Sequence, residues 1–107
     1  MLSDYELARL MIRCPGCCYA EARTLRDVLA MVHGAAIARY PPHGSGFLPG
    51  FLWFVNQRFR AGPIAWYHVL LEQFGEMPLA DACKAVLRLL EEWKKCEEQA
   101  QGRELSE

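Results

Sequence analysis

A chain of 107 residues, 52% of them hydrophobic, holds enough apolar material for one core and too little for two. Its formal net charge of -1 argues against a general nucleic-acid or membrane-surface binder that works by bulk electrostatics, because both carry a large positive excess. Five cysteines, an odd number with three crowded at positions 14, 17 and 18, do not read as a secreted disulfide framework.

The opening residues Met-Leu-Ser-Asp-Tyr-Glu lack the basic start and apolar stretch of a secretory signal, and no later run reaches the roughly 18 apolar residues of a membrane span. A cytoplasmic protein that does not engage a membrane is the expectation. Ser3 and Glu6 form the S-x-x-E capping box, and Leu2 and Leu7 stand where a hydrophobic staple closes the first turn, which predicts a helix over about 3–13. Pro15 and Gly16 interrupt it, since the proline ring removes a backbone donor and turns Cys14 away from helical angles.

Beyond that corner, Thr24 and Asp27 offer either a second capping signal or an exposed stretch of one longer helix. Leu25, Val28, Leu29, Val32 and Ala36 recur at three- and four-residue steps, the mark of one buried stripe, and carry this helix to about Arg39. Pro41, Pro42, Gly44, Gly46, Pro49 and Gly50 make the one long loop, a candidate flexible or binding segment. Pro49 and Pro63 each suit the first position of a helix, which predicts short helices over about 49–60 and 63–74, with Gly75 as a stop. The last helix starts near Pro78 and places Leu79, Ala82, Cys83, Val86, Leu87, Leu90 and Trp93 on one face before fading after Cys96. No period-2 alternation long enough for a strand is present. The expected fold is all-α, a compact single-domain bundle of about five helices over 1–100, with 101–107 a disordered tail.

The sharpest local signal is Cys14-Pro-Gly-Cys17-Cys18, since two thiolates three residues apart across a corner can reach one tetrahedral zinc. It is half a site. Cys18 and His33 are the candidate completing ligands, with His43, Cys83 and Cys96 as others, none at the second-pair spacing of a finger or ribbon. The same run can instead serve as a redox dithiol, although the strand that precedes such a motif in thioredoxin-like units is missing. Small buried thiols at a helix corner are the plain alternative. His33 and His68 sit at the edges of their apolar stripes, as boundary residues do. No P-loop, H-E-x-x-H or G-x-S-x-G is present, so a non-enzymatic protein is expected.

Two features point outward. Most aromatics fall between Phe47 and Phe74, and Phe51 to Val55 is apolar all round its helix, so Phe47 and Trp53 are candidate contact residues for a partner. Nine of the twelve basic residues are arginines, and Arg9, Arg13, Arg23, Arg26, Arg58 and Arg60 precede an acidic C-terminal third, so the molecule reads as dipolar with a basic front. The leading expectation is therefore an interaction protein, monomer or homodimer, that binds and regulates or inhibits a macromolecule, as accessory factors and inhibitors of phages and mobile elements do. A small zinc-containing or arginine-faced nucleic-acid module is the first alternative, and a thiol redox protein using the CPGC run is the second.

Overall fold

Ser3 accepts a hydrogen bond from the Glu6 amide at 3.1 Å, and the Glu6 carboxylate returns to the Ser3 hydroxyl and backbone N–H, so the first helix α1 starts at Asp4 and runs to Arg13. A computed structural model describes residues 2–14, 22–60 and 66–106. Thr24 and Asp27 form a second capping box, which resolves the sequence ambiguity in favour of a new helix, α2, over Leu25–Arg39. The Asp27 carboxylate also accepts from the Arg23 N–H at 3.0 Å, and these backbone donors hold its pKa below the usual carboxylate value. Three more helices follow: α3 over Pro49–Arg58, α4 over Trp66–Phe74 and α5 over Leu79–Ser106.

The described residues contain five helices and no strand, as one all-α domain. The start expected at Pro63 lies outside them. The expected tail at 101–107 is instead helical as far as Ser106. Gln101, Arg103, Glu104 and Leu105 are good helix formers, and Gly102 subtracts only about 1 kcal/mol.

Each helix turns one stripe inward. Ala8, Met11 and Ile12 of α1, Leu25 to Ala36 at the predicted steps of α2, and Val69 and Leu70 of α4 meet Ala82, Val86, Leu90 and Trp93 of α5. Helix α5 packs against all four others and is the axis of the bundle. Phe51 is 1% exposed and sits where three elements converge, with ring centroids 5.5 Å from Trp66 and 5.7 Å from Trp93. Asp4 in the first turn of α1 accepts from Arg39 at 2.8 Å and from the Tyr40 hydroxyl at 2.6 Å, which ties the start of α1 to the end of α2.

The proline- and glycine-rich loop folds back on the bundle. Phe47 and Leu48 are buried, and Gly44 takes φ 73° where a Cβ would meet Ala36 at 3.0 Å. A Cβ on Gly46 would come within 2.6 Å of the Tyr40 ring, so this glycine lets the loop lie against that side chain.

Candidate functional site

Helical phase decides which residues of α2 look outward. Arg26, Ala30, His33 and Ile37 follow one another at three- and four-residue steps, about 100° per residue, and so share a face beside the buried stripe. That face meets α4 running the opposite way. His33 lies with its ring centroid 5.0 Å from that of Tyr67, while Arg26, Leu29 and Ala30 share one depression with His68 and Leu71. A second depression continues along α2 from His33 past Ala36, bounded by His43, Gly44 and Ser45 of the loop and by Pro49 and Leu52 at the start of α3. Phe47, Trp66 and Tyr67 complete its wall.

His33 and Tyr67 belong to both depressions, so the two form one groove, with volumes of about 170 Å³ at the Arg26 end and about 180 Å³ at the loop end. From Arg26 to Ala36 it follows about 15 Å of helix at 1.5 Å per residue. All three histidines of the chain line it. Tyr67 is central, flanked by His33 and by His68 at 4.8 Å, with Trp66 edge-on at 5.9 Å. Among the described residues, no acidic residue lines either half. Asp27 is engaged at its helix start and Glu72, one turn beyond His68, is exposed outside the groove.

Together the halves reach only the lower end of the roughly 300–1,000 Å³ of small-molecule sites, and their division into two open depressions suits separate side chains of a larger partner. The imidazoles, the Tyr67 hydroxyl and the Arg26 guanidinium make no hydrogen bond among the described residues. They are available to an occupant.

Trp53 stands on the outer face of α3, one turn after the groove residue Pro49, and is 67% exposed, the most of any large apolar side chain described. Phe51 and Val55 take the inner face of the same helix, so an apolar sequence all round α3 comes from one core face and one bare tryptophan. Phe47, expected with Trp53 as a contact residue, is 4% exposed and belongs to the core while also lining the loop half of the groove.

The six candidate arginines are all exposed, but they do not form one face. Arg9 approaches Glu91 at 3.7 Å and Arg58 meets Glu92 at 3.0 Å, because α5 lays its acids against α1 and α3. The basic front read from the chain is thereby partly neutralised. Arg13 borders a separate depression with Leu79, Cys83, Lys84 and Leu87, and Arg60 follows α3. Arg26 lies in the groove, and Arg23 precedes the α2 cap.

Cys14 is disulfide-bonded, a state in which its sulfur offers no thiolate to a metal. Cys17 and Cys18 lie outside the described residues. His33, the fourth proposed ligand, borders the groove, whose lining does not include Cys14. No three His, Cys, Asp or Glu side chains among the described residues are placed to share a metal ion. Cys83 is a buried free thiol whose pKa burial pushes up, and Cys96 is exposed and free. Among the described residues, no helix is long and apolar enough to cross a membrane.

His33 and His68 were legible only as edge residues and His43 only as a candidate zinc ligand, because a groove between two helices depends on their crossing, which a single helical pattern does not contain. In comparison with known proteins, no family model, curated protein or solved structure matches the chain.

Proposed function

We propose that the chain is a non-enzymatic interaction protein that binds another protein through the α2/α4 groove and Trp53, and so regulates or inhibits it. The observation that carries this reading is the 67% exposure of Trp53 one turn from an aromatic groove. Tryptophan and arginine dominate the energy of protein interfaces when they become buried there, and both stand here without a covering group. Leaving two thirds of a large indole in water forgoes about 3 kcal/mol that burial would supply, at about 25 cal/mol per Å². Nothing in the fold requires that, since Phe51 and Val55 already anchor α3.

The test is affinity capture of the full chain from its own cells after reversible crosslinking, with Trp53→Ala as the matched control. A discrete protein recovered with the wild type and depleted at least tenfold with Trp53→Ala supports the proposal. Identical recovery from both chains contradicts it. Recovery abolished by nuclease treatment would favour nucleic acid, the other target that exposed Arg13, Arg23, Arg26 and Arg60 suit.

A further inference from the structure

The groove has a chemistry as well as a shape. Its lining offers donors at Arg26, His33, His43 and His68 and apolar wall at Ala30, Leu52, Trp66 and Leu71, with no carboxylate among the described residues. An occupant must satisfy those N–H groups with acceptors and cover the apolar surface at once.

We infer that the groove takes an acidic amphipathic helix of the partner protein, its carboxylates at the Arg26 end and an apolar side chain in the half bounded by Phe47, Leu52 and Trp66. This rests on the proposed function and names the segment that the partner presents. Three features favour it. The run of lining residues from Arg26 to Ala36 is about 15 Å long at 1.5 Å per residue, enough to seat nearly three turns of a helix, the groove-binding mode in which residues at i, i+3 or i+4 and i+7 are the anchors. Among the described residues the charge is one-sided: Arg26 has no ion pair and Arg23 stands a turn away, whereas the acids described beside the groove are Asp27, held by its cap, and exposed Glu72. Each half, at about 170 and 180 Å³, is close to the volume of one large side chain and is open rather than sealed. A basic or polyphosphate chain fits less well. The former meets Arg26 and Arg23 with like charge, and the latter leaves the apolar wall uncovered.

The full chain is panned against a displayed library of random 16-residue peptides, and retained peptides are compared with those retained by two variants. Arg26→Glu reverses the charge at the mouth, and Ala30→Trp fills the groove; both positions are exposed, so the bundle itself is not disturbed. Circular dichroism confirms that each variant is folded. The expected result is enrichment of peptides carrying at least two Asp or Glu residues with large apolar residues at helical spacing. Their affinity should fall at least tenfold in Arg26→Glu and in Ala30→Trp. Enrichment of basic or neutral sequences, affinities unchanged in both variants, or no enrichment at all would overturn the inference. The outcome is separable from that of the capture experiment, since a partner lost with Trp53→Ala but indifferent to Arg26→Glu leaves the interaction protein standing and removes only the acidic helix.

Discussion

Phe51 and Trp53 are two residues apart on α3 and should respond oppositely to the same substitution. Phe51 is 1% exposed and meets Phe54, Trp66 and Trp93 at centroid distances of 6.3, 5.5 and 5.7 Å, so Phe51→Ala removes a ring that three elements share. Buried Phe→Ala changes cost about 3–5 kcal/mol, and the loss of several ring contacts puts this one at about 4 kcal/mol or more. Against a total of about 5–15 kcal/mol for a domain of this size, the variant is marginal at 25 °C. With a urea m-value of about 2 kcal/mol per M, its midpoint falls by about 2 M.

Trp53 is covered over only about a third of its surface. That third is roughly 70 Å² of the 200 Å² a tryptophan can bury, about 1.7 kcal/mol at 25 cal/mol per Å². Alanine keeps part of the contact and gains about 0.5 kcal/mol of helix propensity, which leaves about 1 kcal/mol or less. Far-UV circular dichroism in urea, with the disulfide intact throughout, measures both without relying on the indole. If Trp53→Ala shifts the midpoint as far as Phe51→Ala does, the inside and outside faces of α3 have been assigned wrongly and the recognition surface falls with them.

Asp4→Ala breaks the part-buried contact with Arg39 at 2.8 Å and the Tyr40 hydrogen bond at 2.6 Å, and should cost about 1–2 kcal/mol by urea unfolding. That same hydrogen bond, foremost among its causes, raises the Tyr40 pKa above 10.0, so the folded state holds this proton more tightly than the unfolded one. The stability it contributes is complete below pH 10.0 and is lost as pH rises through the folded value; Tyr40→Phe should flatten the fall above pH 10.0, and an unchanged slope would count against the contact. Thr24→Ala removes a helix cap and should cost about 1 kcal/mol, read as a lower thermal midpoint. Asp27 is the reverse case to Tyr40, with its pKa lowered by backbone donors, so its contribution is present above pH 3.8 and lost as pH falls through the folded value; Asp27→Asn should blunt that acid dependence. Asn56 is 9% exposed and its Oδ1 has no hydrogen-bond partner among the described residues, so Asn56→Leu should leave stability unchanged or raise it by about 1 kcal/mol, whereas a thermal midpoint lowered by more than 5 °C would show that the amide is satisfied.

The helices were legible because their signals are local. Ser3 with Glu6, Thr24 with Asp27 and the stripes of α2 and α5 each specify an element within a few residues, and the structure keeps them where the spacing put them. The end of α5 was less so, since a polar run carries no stripe to mark where packing stops. On α3, where Phe51 to Val55 is apolar throughout, periodicity offers no face to choose, and only the docking of Trp66 and Trp93 on Phe51 leaves Trp53 outside. Long-range pairing was equally hidden: Arg9 and Arg58 find acids more than 30 residues away along the chain, which erases part of the charge asymmetry counted from the sequence. Of the candidate contact residues, Arg26 and Phe47 line the groove, Phe47 from a largely buried position on the folded-back loop, while Trp53 stands exposed one turn beyond the groove residue Pro49.

A photoreactive phenylalanine analogue placed at position 53, in the full chain expressed in its own cells, tests the recognition surface most directly. Light should join position 53 to one discrete protein, and the same analogue at exposed Gln73 should not capture it. Equal labelling from both positions, or none from position 53, would contradict the account.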